Sequence, residues 1–179
     1  GFNVGINIDA QTIICNDHIN YLKEIFQYFQ QIETPKLVNQ IKERIAFFGL
    51  SKTNGEGYNN LRVEYNQKKN ILDLFVLTCY SFNHQIRFNN KHELNNPFGK
   101  DLSSYNSNNE TNLYRFCGAL KEKNIQFKNI DFADFDFSIL CKGDLVYCDP
   151  PYLISNGSYN DGKRGFKDWT KKEEINLLK

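Results

Sequence analysis

The opening of the chain joins a short apolar run to a helical repeat. Thr12-Ile13-Ile14-Cys15 is β-branched and reads as a buried strand. Asn16 and Asp17 follow as candidate helix caps, and from Ile19 the residues Leu22, Ile25, Phe26 and Phe29 recur at helical spacing, bounded by Pro35. A strand running straight into a helix is half of a βαβ unit, so the chain starts in α/β style. Between residues 36 and 112 the apolar pattern breaks and Asn, Tyr, Phe and Lys dominate. Lys52-Thr53-Asn54-Gly55-Glu56-Gly57 has loop chemistry, and 70–79 is apolar enough for a core helix. Residues 82–98 alternate poorly and end on Pro97-Phe98-Gly99, which predicts a hairpin or irregular lobe; 103–112 is a polar connector. The α/β style then returns. Ile125 and Phe127 predict a half-buried strand leading to Asp131-Phe132, and Leu145-Val146-Tyr147-Cys148 predicts a buried strand after Gly143-Asp144. Glu173 to Lys179 reads as a helix cut off in progress, and the sequence contains no Met, so a fragment truncated at both ends is expected.

Composition narrows the classes. With 179 residues, 40% of them hydrophobic, one domain with a real core is within reach. A net charge of +1 favours no class of partner, so any nucleic-acid surface must arise from local segregation of Lys and Arg. No apolar run is long enough to span a bilayer and no signal peptide opens the sequence, which predicts a cytoplasmic protein with no membrane partner. Cys15, Cys79, Cys117, Cys141 and Cys148 have no zinc spacing; reduced thiols filling space are expected, and no metal.

Asp149-Pro150-Pro151-Tyr152, directly after the predicted strand 145–148, is the strongest chemical signal. Such a tetrapeptide arises by chance in roughly one chain of this length per thousand. One reading is a rigid turn, because paired prolines cannot continue a ladder. A turn, however, needs neither the acid nor the aromatic. In open parallel sheets, reactive loops lie outside the carboxyl ends of the strands. The exocyclic amine of adenine is a poor nucleophile because its lone pair is delocalised into the ring. A carboxylate and a proline-held carbonyl set against its two N–H bonds would localise that lone pair, and a neighbouring ring can stack on a base flipped out of its duplex.

Residues 145–152 resemble the catalytic loop of the Dam-like DNA adenine-N6 methyltransferases, the group found in GATC-type restriction–modification systems. Residues 87–99 resemble that family's DNA-recognition segment, and Ile13-Ile14-Cys15-Asn16-Asp17 its second strand and cofactor-binding acid. The likeness spans nearly the whole chain. It implies a Rossmann-like α/β fold, dependent on S-adenosylmethionine, with an inserted and mainly helical target-recognition lobe. The divisions expected are 1–35 for the cofactor half, 36–112 for the DNA-binding lobe and 113–179 for the catalytic part.

Carried over residue by residue, the resemblance has Asp149 and the Pro150 carbonyl accept the two N6 hydrogens, with Pro151 completing the turn and Tyr152 stacking on the adenine. Asp17, otherwise a plain helix cap, would bind the ribose hydroxyls of S-adenosylmethionine. Asp131 and Phe132 would meet the cofactor's adenine, although Asp134-Phe135 repeats the pair. Gly1 to Gly5 resembles the tail of a glycine-rich loop, with Phe2 beside the cofactor. Arg87 would read guanine through O6 and N7. Phe82 would wedge beside the vacated base position next to Asn83, Pro97 would pack on a thymine methyl, and Asn89 and Asn95 complete the likeness to GATC readers. For Phe82, a core position is the alternative, as a surface ion pair is for Arg87. Leu94 departs from the aromatic usual in the family. Tyr159 and Trp169 cover either the substrate pocket or the core. The partners implied are double-stranded DNA and, where the enzyme serves restriction–modification rather than acting as an orphan methylase, a cognate restriction endonuclease. Two rivals stand beside this: an amino methyltransferase acting on cytosine N4, RNA or protein glutamine, where Ser or Asn is preferred at the position of Asp149, and a non-catalytic DNA-binding fragment.

Overall fold

The computed structural model describes residues 2–17, 19–150 and 169–178. It combines seven α-helices with a small parallel sheet among those residues, a mixed α/β architecture. Strand β1 (Ile13–Asn16) pairs in parallel with β2 (Ile125–Lys128), in the register Ile13 with Ile125 through Asn16 with Lys128. Period-two geometry puts Ile13 and Cys15 on one face, and Ile125 and Phe127 on the same side, against the helices. Parallel strands need a long crossover, and here it holds five helices, α2 to α6.

Helix α2 (Asn20–Gln31) buries Tyr21, Ile25 and Phe29 along one stripe, as the repeat from Ile19 predicts. Pro35 then lies inside the first turn of α3 (Thr34–Phe48), where a missing N–H costs nothing. Gly49, in the left-handed region at φ 59°, ends α3. The loop expected over 52–57 is shorter in the structure, because α4 (Gly55–Lys68) already begins at Gly55. The Asn54 side chain caps it by accepting from the Gly57 N–H at 2.9 Å. Gly57 is glycine for packing: a Cβ there would sit 2.1 Å from the Phe48 carbonyl oxygen. Gly57→Ala is therefore expected to lower the unfolding midpoint, although alanine is the better helix former by about 1 kcal/mol. A rise in the midpoint would show that α4 can move off Phe48.

Helix α5 (Ile71–Tyr80), predicted over 70–79, is buried nearly all round because α2, α3 and α4 pack against it. The expected polar connector is also shorter than read. Asn106 and Asn109 form a reciprocal capping box, and α6 (Ser107–Glu122) runs from there, burying Leu113, Cys117 and Leu120. A short N-terminal helix, α1 (Asn3–Ile6), packs on α6. One continuous core draws residues from α1, β1, α2 through α6 and β2. Burial raises the Cys15 thiol to about 11 and the Cys79 thiol to about 12, so both stay neutral packing groups at pH 7. Cys141 and Cys148 are exposed and fill no space in the core.

The expected strand over 145–148 is not formed. Between β2 and α7 (Lys171–Leu177) the described residues hold only two 3-10 turns, and Leu145, Val146 and Tyr147 are 78%, 48% and 58% exposed. An apolar run holds as a parallel strand only with neighbours on its edges and helices on its faces. Among the described residues, the sheet consists of β1 and β2 alone.

Candidate active site and DNA-reading surface

The carboxyl ends of β1 and β2 are tied beyond their ladder by two asparagines. Asn16 donates to the Ile130 carbonyl at 3.0 Å and accepts from the Ile130 N–H at 3.1 Å. Asn129 donates to the Asp17 carbonyl at 2.7 Å, while the Asp17 N–H donates to the Lys128 carbonyl at 3.3 Å. These bonds bring Asp17 and Asp131, 114 residues apart in the numbering, to the same end of the sheet. Asp17 is half-buried and accepts from the Ile19 N–H at 2.7 Å, bridging the strand to α2. Asp131 caps the turn Phe132–Asp134 by accepting from the Ala133 N–H at 3.0 Å. Asp134 is exposed in that turn, so of the two acids Asp131 is the more enclosed, while Phe132 and Phe135 are both partly buried. The Phe132 ring lies 5.5 Å from that of Trp169, whose indole N–H donates to Glu174 at 2.6 Å. Trp169 thus stands beside Phe132, the residue after Asp131.

Phe2 has a packing role in this structure. Its ring sits 5.1 Å from Phe26, 5.9 Å from Phe116 and 5.2 Å from Phe127, binding α1 to α2, α6 and β2. Among the described residues, no group of three or more His, Cys, Asp or Glu is arranged to hold a metal ion.

Residues 81–99 form a loop closed at its base. Ser81 and Phe98 make an antiparallel bridge, Phe82 N–H donates to the Pro97 carbonyl and Gly99 N–H to the Tyr80 carbonyl, each at 2.9 Å. A second bridge joins Phe88 to Leu94. Phe88 is inserted into the core, stacked on Tyr21 with centroids 4.4 Å apart, and Leu94 is buried in turn, so a leucine packs at the position where the resemblance implies an aromatic. Phe82, Asn83, Arg87, Asn95 and Pro97 are all exposed on the loop. The core alternative for Phe82 fails: the residue is 46% exposed. It is followed by Asn83 and His84 at φ 55° and 52°, consecutive left-handed residues with side chains, a strain that concentrates at functional segments. Asn89 differs from its companions. Its side chain accepts from Lys91 and Glu93 N–H groups at 2.9 and 3.0 Å and donates to the Glu93 carboxylate at 2.8 Å, shaping the loop tip.

Asp149 is exposed and Pro150 partly buried at the end of the irregular stretch that follows Gly143. Pro151, Tyr152 and Tyr159 lie outside the described residues.

Over residues 1–179 the sequence matches the family described as D12 class N6 adenine-specific DNA methyltransferase. The chain belongs to this family. Type II methyltransferase M.FokI of Planomicrobium okeanokoites is 50% identical over 178 residues, 99% of this chain and 28% of the relative. Modification methylase StsI of Streptococcus sanguinis is 48% identical, over 99% of this chain and 27% of its own length. A DNA adenine methylase of Salmonella typhi is 30% identical over 163 residues, 88% of this chain and 55% of the relative. The chain therefore spans between about a quarter and about half of these relatives. Within this chain, sequence reasoning missed Asn129 and read Asn16 only as a helix cap, whereas its side chain ties the two strand ends through Ile130. Asparagines are so frequent here that two with structural work carried no distinguishing signal.

Proposed function

We propose that this chain supplies the cofactor acids, the DNA-reading loop and the catalytic motif of a site-specific methyltransferase that acts on adenine N6. The observation that carries this reading is the meeting of Asp17 and Asp131 at the carboxyl ends of adjacent parallel strands, where nucleotides bind in doubly wound sheets. A half-buried carboxylate at that point suits the vicinal hydroxyls of S-adenosylmethionine, and the Phe132–Trp169 pair suits a flat purine. The fold is in this reading Rossmann-like, with residues 36–112 as a recognition lobe between a cofactor part, 1–35, and a catalytic part, 113–179.

When bound, S-adenosylmethionine supplies an already activated methyl on sulfur, so the protein's work is orientation and electrostatics. Asp149 and the Pro150 carbonyl take the two N6 hydrogens, Pro151 fixes the turn and Tyr152 stacks on the flipped base. Phe82 and Asn83 fill the gap in the duplex, and Arg87, Asn95 and Pro97 read neighbouring pairs. The substrate is double-stranded DNA in the cytoplasm, with GATC as the site; a restriction endonuclease cutting at that site is the expected partner. The deciding experiment is nucleoside mass spectrometry of duplex DNA treated with the intact protein and S-adenosylmethionine. N6-methyladenine is expected. N4-methylcytosine, or binding without methylation, would give the case to the rivals.

Arg87 has the clearest handle on sequence choice, because a guanidinium fork matches the guanine edge. Arg87→Ala should cost about 1–3 kcal/mol of discrimination at one guanine and spare the other positions. A panel of duplexes carrying every single substitution of GATC measures this. A uniform loss across the panel, with a shallower salt dependence, would make Arg87 a phosphate contact.

A further inference from the structure

One face of α4 is occupied by polar side chains that end on main-chain atoms of the DNA-reading loop. Tyr58, Arg62 and Asn66, spaced four apart, lie on one helical stripe, and Lys69 follows just past its end. Tyr58 Oη and Arg62 Nη1 both donate to the Asn96 carbonyl, at 3.0 and 2.7 Å. Asn66 makes a two-point contact with Leu94, donating to its carbonyl at 3.1 Å and accepting from its N–H at 2.7 Å, as a neighbouring strand would. Lys69 donates to the His92 carbonyl. Asn96, itself 1% exposed, accepts from the Arg87 N–H at 2.7 Å through its side chain. Its Nδ2 has no partner among the described residues, although an orphaned buried donor is costly.

The pattern has a period of two. The helix grips positions 92, 94 and 96, while 93, 95 and 97 point outward and are exposed. We infer that Arg62, Asn66 and Asn96 are positioning residues for sequence recognition. They hold the loop's main chain in a fixed frame, so that the outward side chains of Arg87, Asn95 and Pro97 meet the bases in register, while Arg62, Asn66 and Asn96 make no contact with DNA themselves. Because these bonds to the loop end on its backbone atoms, outward residues can be exchanged without disturbing the frame. The unsatisfied amide of Asn96 fits this account, because an apolar residue of the same size would pack there but would leave the Arg87 N–H unheld.

This inference rests on reading residues 81–99 as the DNA-contacting segment, and the experiment separates the two. In the intact protein, Asn66→Ala and Arg62→Met are compared with Arg87→Ala on the panel of substituted duplexes, together with S-adenosylmethionine affinity by calorimetry. The expected result for both α4 variants is a DNA KM raised about tenfold and discrimination reduced about tenfold at more than one base pair, with cofactor affinity unchanged. A purely structural role would instead lower cofactor binding and methylation of all duplexes together, and that outcome overturns the inference. If Arg87→Ala loses discrimination while the α4 variants keep it, the frame is wrong and the loop assignment stands. If all three keep it, the loop assignment falls as well. Arg62 is only partly buried, so Arg62→Met gives the decision should Asn66→Ala fail to fold.

Discussion

If the proposed function holds, Asp149→Ala in the intact protein is expected to lower the single-turnover rate of methyl transfer by about 10²–10³-fold, the usual cost of deleting one preorganised polar partner of a transition state. Affinity for S-adenosylmethionine should hardly change. The difference is one of timing: the carboxylate's hydrogen bond strengthens as the amine lone pair leaves the ring, so its loss appears in turnover rather than in ground-state binding. Asp149 is exposed, and surface substitutions of that kind shift stability by roughly ±0.5 kcal/mol, so a fall in rate will not be a fall in folded protein. Near-normal turnover in the variant would remove Asp149 from the proposed chemistry.

The largest expected effect on stability belongs to a charged group inside the helical part. Asp73 is 1% exposed on α5 and is met by Arg44 from α3 in a bidentate contact, Nε to Oδ1 at 2.7 Å and Nη2 to Oδ2 at 2.9 Å. The same Nη2 donates to Glu64 on α4 at 2.9 Å, and the guanidinium lies 4.9 Å from the Phe48 ring. One side chain therefore joins three helices. Arg44→Met would strand the Asp73 carboxylate in the core and is expected to destabilise the fold by about 3–5 kcal/mol, read from urea unfolding. Adding Asp73→Leu should restore most of the loss, because the penalty lies in the unpaired charge and not in the missing bridge. A single variant as stable as the parent would mean that water reaches Asp73. The hydrogen bond from Arg44 also holds the Glu64 carboxyl below its ordinary value. A depressed folded value stabilises above the unfolded pKa and is lost as pH falls through the folded one, so this small, partly screened contribution disappears on acidification.

Stability and the proposed sequence choice meet at the loop 81–99. It leaves α5 at Tyr80 and is gripped by α4, so loosening the Arg44 junction should also blunt sequence discrimination.

The pattern of apolar residues was sufficient to find β1, α2, α5 and β2, because each buries a regular stripe or face: Tyr21, Ile25 and Phe29 for α2, Ile125 and Phe127 for β2. The sequence of the motif at 149–152 and the strand-end position of Asp17 were equally legible, since they are short and local. Helices α3 and α4 were not, and the start of α6 was read as a connector. Their buried faces mix in Tyr58, Tyr65, Thr34 and a glycine, and the charge of Arg44 sits where a periodic reading looks for apolar groups. The stretch 145–148 failed in the opposite sense: its local pattern says strand, but a strand is a property of its neighbours, and among the described residues none pairs with it. What the sequence by itself determined was the chemistry available, namely an acid-proline-proline-tyrosine loop, a strand-end acid and an arginine suited to guanine. Only the tertiary structure decided which groups meet. Asp17 is brought to the same sheet end as Asp131 through hydrogen bonds between strand ends that are distant along the chain, and Asn66 and Asn96 hold the loop 81–99 through bonds to main-chain atoms, which every residue possesses and no sequence pattern can mark.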